Sequence, residues 1–180
     1  MLIPRPASDE HPTYALTYLD AAEHAIARHG LPDLMALLAR QPADLAALLA
    51  GVSPDMGKRA YAAGKWTLLE SMVHTIDTER VFSYRLLRAA RGDRTPLPGY
   101  EHDAWVPLSA ANERTLSEVV SDFGAVRAST LALLSSLDQD ALARRTVASG
   151  RDVSARALAW MIAGHVDHHF RLTRELYLVA

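Results

Sequence analysis

The sequence predicts an all-α protein: a four-helix bundle with a long crossover between the second and third core helices and an extra helix at the N-terminus. Three observations carry this. The chain holds 31 Ala and 26 Leu against only 15 Val plus Ile, and Ala and Leu favour helices where β-branched residues favour strands. Its apolar residues recur at the 3.6-residue spacing of a helix over long stretches. Those stretches are separated by Gly- and Pro-rich breaks. A length of 180 residues suits one domain, expected over residues 1–180, with a core of its own.

Residues 1–12 are Pro-rich and polar and read as an N-terminal arm. Residues 13–29 predict a peripheral helix ended by Gly30. Residues 33–50 carry a stripe of Leu34, Leu37, Leu38, Leu45, Leu48 and Leu49, interrupted by Pro42 and closed by Gly51. A proline inside a helix clashes with the preceding turn, so a kink is expected there.

Thr67 and Glu70 form an S/T-x-x-E capping box, which opens the next helix. Leu69, Met72, Val73, Ile76, Tyr84 and Leu87 follow as its inward stripe, and Gly92 stops it. Residues 92–108, with three Pro and two Gly, are too broken for regular structure and are expected to line one end of a pocket. Ser109 is expected to cap a third helix reaching about Ser136. Its inward residues are read as Leu116, Val119, Val120, Phe123, Val126, Leu131 and Leu134. Ser149-Gly150 can turn a short hairpin, and Ser154 caps a last helix reaching about Tyr177.

The net charge of −2 and the absence of any Lys/Arg run argue against nucleic acid as a partner. With no cysteine, the chain has no disulfide, thiolate metal site or thiol nucleophile. No apolar stretch approaches the ~18 residues of a membrane span, and the first residues lack a signal-peptide core. The expectation is a soluble cytoplasmic protein without a membrane partner.

The chemistry lies in the histidines. His11, His24, His29 and His102 fall in the N-terminal region or in loops and are read as solvated. His165 and His169, by contrast, lie on the inward stripe of the last helix with Leu158, Met161, Ile162, Leu172 and Leu176. Positions i and i+4 face the same way one turn apart. Two buried imidazoles there need polar partners, which a divalent cation or backbone carbonyls and water can supply. His74, in the middle of the second core helix, is the natural third ligand. Three imidazoles leave coordination positions open, as catalytic metal sites do. His168 falls at the edge of the stripe, and Asp77 and Asp167 fall off it; these three are candidates for groups that orient the ligands. Asp77, Glu79, Arg80, Arg85 and Arg88 read as a solvated charged face. Trp66, Trp105, Tyr14 and Tyr100 read as core or lid residues.

Five stretches together resemble the DinB/YfiT-like family of metal-dependent enzymes: Gly64–Thr67, His74–Phe82, Arg91–Tyr100, Val153–Leu158 and Ala163–His169. They come in family order across residues 4–178. The resemblance implies a four-helix bundle that binds Zn²⁺, Ni²⁺ or Mn²⁺ through His74, His165 and His169, often as a homodimer. It implies a small-molecule substrate and either transfer of a low-molecular-weight thiol of the bacillithiol type to an electrophile or metal-assisted hydrolysis. The reading from another class is a non-enzymatic metal-binding protein of stress response or interaction, which would hold its metal without a cavity leading to it.

Overall fold

A computed structural model describes residues 2–179; Met1 of the expected arm and Ala180 lie outside the described residues. The chain folds into helices α1 (Leu16–Arg28), α2 (Leu34–Leu49), α3 (Pro54–Gly57), α4 (Leu68–Ala90), α5 (His102–Trp105), α6 (Leu116–Ser135) and α7 (Gln139–Ala143). A two-stranded antiparallel hairpin follows, β1 (Arg145–Ala148) and β2 (Arg151–Ser154), and then α8 (Ala155–Leu172). A π turn over Thr173–Tyr177 extends the last helix to the predicted end. No helix among the described residues is long and apolar enough to cross a membrane.

Helix α8 is the hub. It packs against α1, α4 and α2, while α6 packs against α2 and α4. From Ala155 to Phe170 it is buried nearly all round, as a helix with apolar residues on every side must be. The N-terminal helix is therefore not peripheral. Its inner face, Leu19, Ala22 and Ala25, is fully buried, as is Ala15 just before it. At Gly164 of α8 an added Cβ would lie 1.7 Å from the carbonyl oxygen of Tyr18, so the two backbones meet where only glycine fits. The arm is docked as well. Ile3 is buried, Trp160 Nε1 donates to the carbonyls of Ile3 and Pro4, and Arg156 pairs with Glu10 at 2.6 Å.

The caps decide the helix starts. Thr67 and Glu70 make the predicted reciprocal box, and Ser154 accepts from the Ala157 amide. The third core helix starts six residues later than Ser109. Ser109 bonds back to the Val106 carbonyl, and Thr115 with Glu118 forms a second capping box. The crossover contains short helical turns over 102–108 and 111–113, and Leu97 bonds to the hairpin through Val147 and Ser149. The hairpin turns at Ser149-Gly150, both with positive φ.

Two of the predicted stripes drift outward. Tyr84 and Leu87 are exposed, because the buried face of α4 runs through Glu79, Phe82, Leu86 and Ala89 instead. On α6 the buried series is Val119, Phe123, Arg127, Thr130 and Leu134. Arg127 is wholly buried and pairs with both carboxylate oxygens of Glu79 at 2.8 Å. Its Nη1 donates to Gln41 Oε1 and to the carbonyl of Leu38. Pro42 has no amide hydrogen for that carbonyl, so the arginine satisfies the acceptor that the proline leaves open. Gln41 then donates to the Ala163 carbonyl at 2.8 Å. Glu79 and Arg127 thus tie α2, α4, α6 and α8 together, and Glu79 is not part of a solvated face.

Candidate metal centre

The apolar core falls into two clusters, one toward each end of the bundle. In α4 the change comes between Ile76 and Phe82, and in α8 between Ala163 and Val166. His74 and His165 sit beside that junction, one on each helix, with His169 a turn further along α8.

His74, His165 and His169 are all buried, and each offers a ring nitrogen within 4.8 Å of the other two. The Nε2 atoms of His74 and His165 are 3.2 Å apart. Two nitrogens bound to one ion at ~2.0–2.1 Å in tetrahedral geometry lie ~3.3–3.4 Å apart, so this spacing fits shared ligation with little movement. The ring centroids of the three lie 4.6–5.1 Å from one another. Ser71, one turn before Thr75 on α4, hydrogen-bonds His169 Nδ1 at 3.1 Å. With Nδ1 engaged, Nε2 of His169 is the nitrogen left for an ion.

The cluster is kept neutral. Burial above all, with neighbouring His102 adding to it, holds the pKa of His74 down to about 4. Burial holds His169 down to about 3, with His74 adding to the effect. Burial also puts His165 well below its usual value, helped by His169 and His74. Neutral imidazole is the form that binds a metal. The donor set, three neutral nitrogens and no carboxylate, suits Zn, Ni, Cu or Fe.

Aromatic rings hold the imidazoles in place. Trp66 packs on His74 with centroids 4.7 Å apart, and Tyr18 of α1 meets the edge of His165 at 5.2 Å. The close approach at Gly164 is what brings Tyr18 there. His168 is half-buried, with its ring against Tyr18 and His169, and stands outside the trio. Neither acid that sequence offered as an orienting group touches the imidazoles. Asp167 takes a 2.7 Å bond from Arg28, and Asp77 one of 3.0 Å from Arg80. Ser71, which the sequence reading passed over, is the side chain that meets a ring nitrogen.

The trio opens into a cavity of about 540 Å³, whose wall includes Tyr14, Tyr18, Trp66, Phe82, Arg85 and Tyr100. The crossover supplies Gly99, Tyr100, Glu101 and His102, so it lines the pocket as expected. His102, read from sequence as a solvated loop residue, is half-exposed at that wall with its ring 5.4 Å from His74. Arg85, read as part of a charged surface, is buried there. Tyr14, Trp66 and Tyr100 line the cavity, while Trp105 stacks on Tyr100 from outside.

Comparison with known proteins adds a lineage. A family model described as the DinB superfamily matches residues 37–172. Among solved structures, the fold is similar to YfiT from Bacillus subtilis, described as a probable metal-dependent hydrolase with an unusual four-helix bundle topology. The TM-score is 0.71 at 16% identity, covering 96% of this chain and 93% of that one. At that identity the likeness establishes the fold alone. No curated protein matches the chain.

Proposed function

The chain belongs to the DinB superfamily, and from that premise we propose that it is a metal-dependent enzyme acting on a small molecule, with His74, His165 and His169 as its metal ligands. The observation that carries this is the convergence of three buried, neutral imidazoles at the wall of an open cavity. A purely metal-storing or structural site would be closed, so the cavity supports the enzymatic reading over the non-enzymatic one. Zn²⁺ and Ni²⁺ are candidates on the donor set and on the family resemblance alike, and Mn²⁺ on the resemblance alone; bound there, a divalent ion supplies Lewis acidity that makes water or a thiol a nucleophile at neutral pH.

The protein's own residues do the rest. Ser71 fixes the ring of His169. Trp66 and Tyr18 fix those of His74 and His165. The aromatic wall excludes water around a bound substrate. His102, half-exposed beside His74, is placed to accept or return a proton at the mouth of the site. Hydrolysis of a small-molecule substrate is the reading that the YfiT likeness supports. Transfer of a low-molecular-weight thiol of the bacillithiol type is the finer reading that the sequence resemblance supports, and a cavity of 540 Å³ has room for a cosubstrate. Homodimer formation and a cytoplasmic setting rest on the same resemblance and on the sequence.

Metal-stripped and Zn²⁺-, Ni²⁺- or Mn²⁺-loaded protein, incubated with ester and amide substrates and separately with a thiol plus monobromobimane, tests this. Turnover only in a loaded sample, lost in His74→Ala, is expected. Equal rates in loaded and stripped protein in both assays overturn the enzymatic reading.

A further inference from the structure

Four other buried charged side chains, Glu10, Glu79, Arg127 and Asp167, each face an opposite charge. Arg85 does not. It is 5% exposed and makes no ion pair among the described residues. Its Nη2 donates to the Pro98 carbonyl at 2.8 Å and to Ser149 Oγ at 3.1 Å. Phe82 and Tyr100 lie beside the guanidinium at 5.9 and 5.6 Å, but rings supply no counter-charge. Taking an ion out of water without a counter-charge is costly.

The unspent part of that guanidinium has a direction. Among the described residues, Nε and Nη1 meet no acceptor, yet Thr173 Oγ1 is the one fully enclosed side-chain N or O without a partner. The free nitrogens of Arg85 are therefore open, and the space that Arg85 lines is the cavity of the three histidines. Arg85 lies eleven residues after His74, which is three turns of α4 plus about 20°, on the same face ~16 Å along the axis. Thr78 and Phe82 fill the turns between and also line the cavity. Long side chains on a helix lean toward its N-terminus, which aims Arg85 back toward His74. Glu101 lines the same cavity without pairing with Arg85.

We infer that the cavity takes a small carboxylic acid with an apolar body, whose carboxylate binds Arg85 while the other end reaches the histidines. A guanidinium with adjacent free N–H groups matches the two oxygens of a carboxylate. One negative charge cancels that of Arg85, the buried cation with no ion pair among the described residues, whereas a phosphate dianion would leave an excess. Tyr14, Tyr18, Phe82 and Tyr100 cover the apolar body. The inference deepens the reading above and rests on it in taking this cavity as the substrate site.

The test is a ligand-detected NMR titration of the full-length, metal-stripped protein with 4-phenylbutyrate, 4-phenylbutan-1-ol and phenyl phosphate. Without metal, no bound ion can attract the anion. The carboxylate should bind at least ~10-fold more tightly than the alcohol, as hydrogen bonds to a charged group are the stronger kind, and more tightly than the phosphate, whose second charge Arg85 leaves uncancelled. Arg85→Met should bring acid and alcohol within about twofold, and Arg85→Lys should keep part of the preference. Should Arg85→Met fail to fold by circular dichroism, the wild-type comparison and Arg85→Lys decide. Equal binding of acid and alcohol to the wild type, tighter binding of phenyl phosphate, or an undiminished preference in folded Arg85→Met overturns the inference. A zinc titration keeps the two readings apart. An anion preference in protein that binds no zinc removes the metal and leaves Arg85 its ligand; stoichiometric zinc without the preference does the reverse.

Discussion

At the residue scale, the site depends on imidazoles that refuse protons. In the unfolded chain each titrates near 6.5, while in the fold His74 stays neutral down to about 4 and His169 to about 3. Between those values the unfolded chain binds more protons than the folded one, so acid favours unfolding. The metal-free protein should keep a constant melting midpoint above pH 7, lose stability as pH falls through 6.5, and go on losing it toward pH 3. His74→Phe should flatten part of that slope. Circular dichroism melts across pH 3–8 check this, and a midpoint rising with acid would contradict it. Of the eight histidines, the three that cluster were legible because two share a helical face and the third is central on another core helix. His102 was not, since a crossover can bring a loop residue back over a helix and no local pattern records where it lands. Ser71 carries no signal of its own either; its role exists only because α8 delivers His169 to it.

At the element scale, two contacts hold the frame. Gly164→Ala sets a methyl against the Tyr18 carbonyl and must push α1 from α8. The expected cost is ~1–3 kcal/mol or more, since overpacking against backbone cannot be relieved by a rotamer change. Chemical denaturation measures it, and a neutral outcome would show that the helices slide freely. Arg127→Met leaves the Glu79 carboxylate buried without its partner and the Leu38 carbonyl open. Breaking such a pair from one side costs ~3–5 kcal/mol. The double variant Arg127→Met/Glu79→Leu should recover much of that, which a double-mutant cycle reads directly. Local signals announced the starts of α4 and α8, because a cap is written within four residues. They misplaced the start of α6 because Ser109 and Thr115 both look like caps, and only the Glu at the third helical position favours the second. The burial of α1 was not legible: its alanines fit a peripheral helix as well as a packed one, and do not say which helix they meet. Glu79 read as surface charge until the fold pairs it with Arg127, 48 residues away.

At the scale of the whole molecule, an ion that ties α4 to α8 links the two ends of the core. A ligand that binds only the folded state stabilises it by ~2.7 kcal/mol at a hundred times its dissociation constant. For a chain of this length that is a rise of ~5–10 °C in melting temperature. Zn²⁺ should produce it at pH 7.5, and a chelator should reverse it. No rise in a scanning-fluorimetry melt would mean that the histidines do not act together.

The most direct measurement is an isothermal titration of Zn²⁺ into tag-free, metal-stripped protein, wild type beside His74→Ala, His165→Ala, His169→Ala and His168→Ala. The geometry predicts one ion per chain, affinity reduced by ~100-fold or more in the first three variants, and no more than ~10-fold in His168→Ala. Zinc retained by His169→Ala but lost by His168→Ala, or no stoichiometric binding to the wild type, would contradict the assignment of His74, His165 and His169 as the metal ligands.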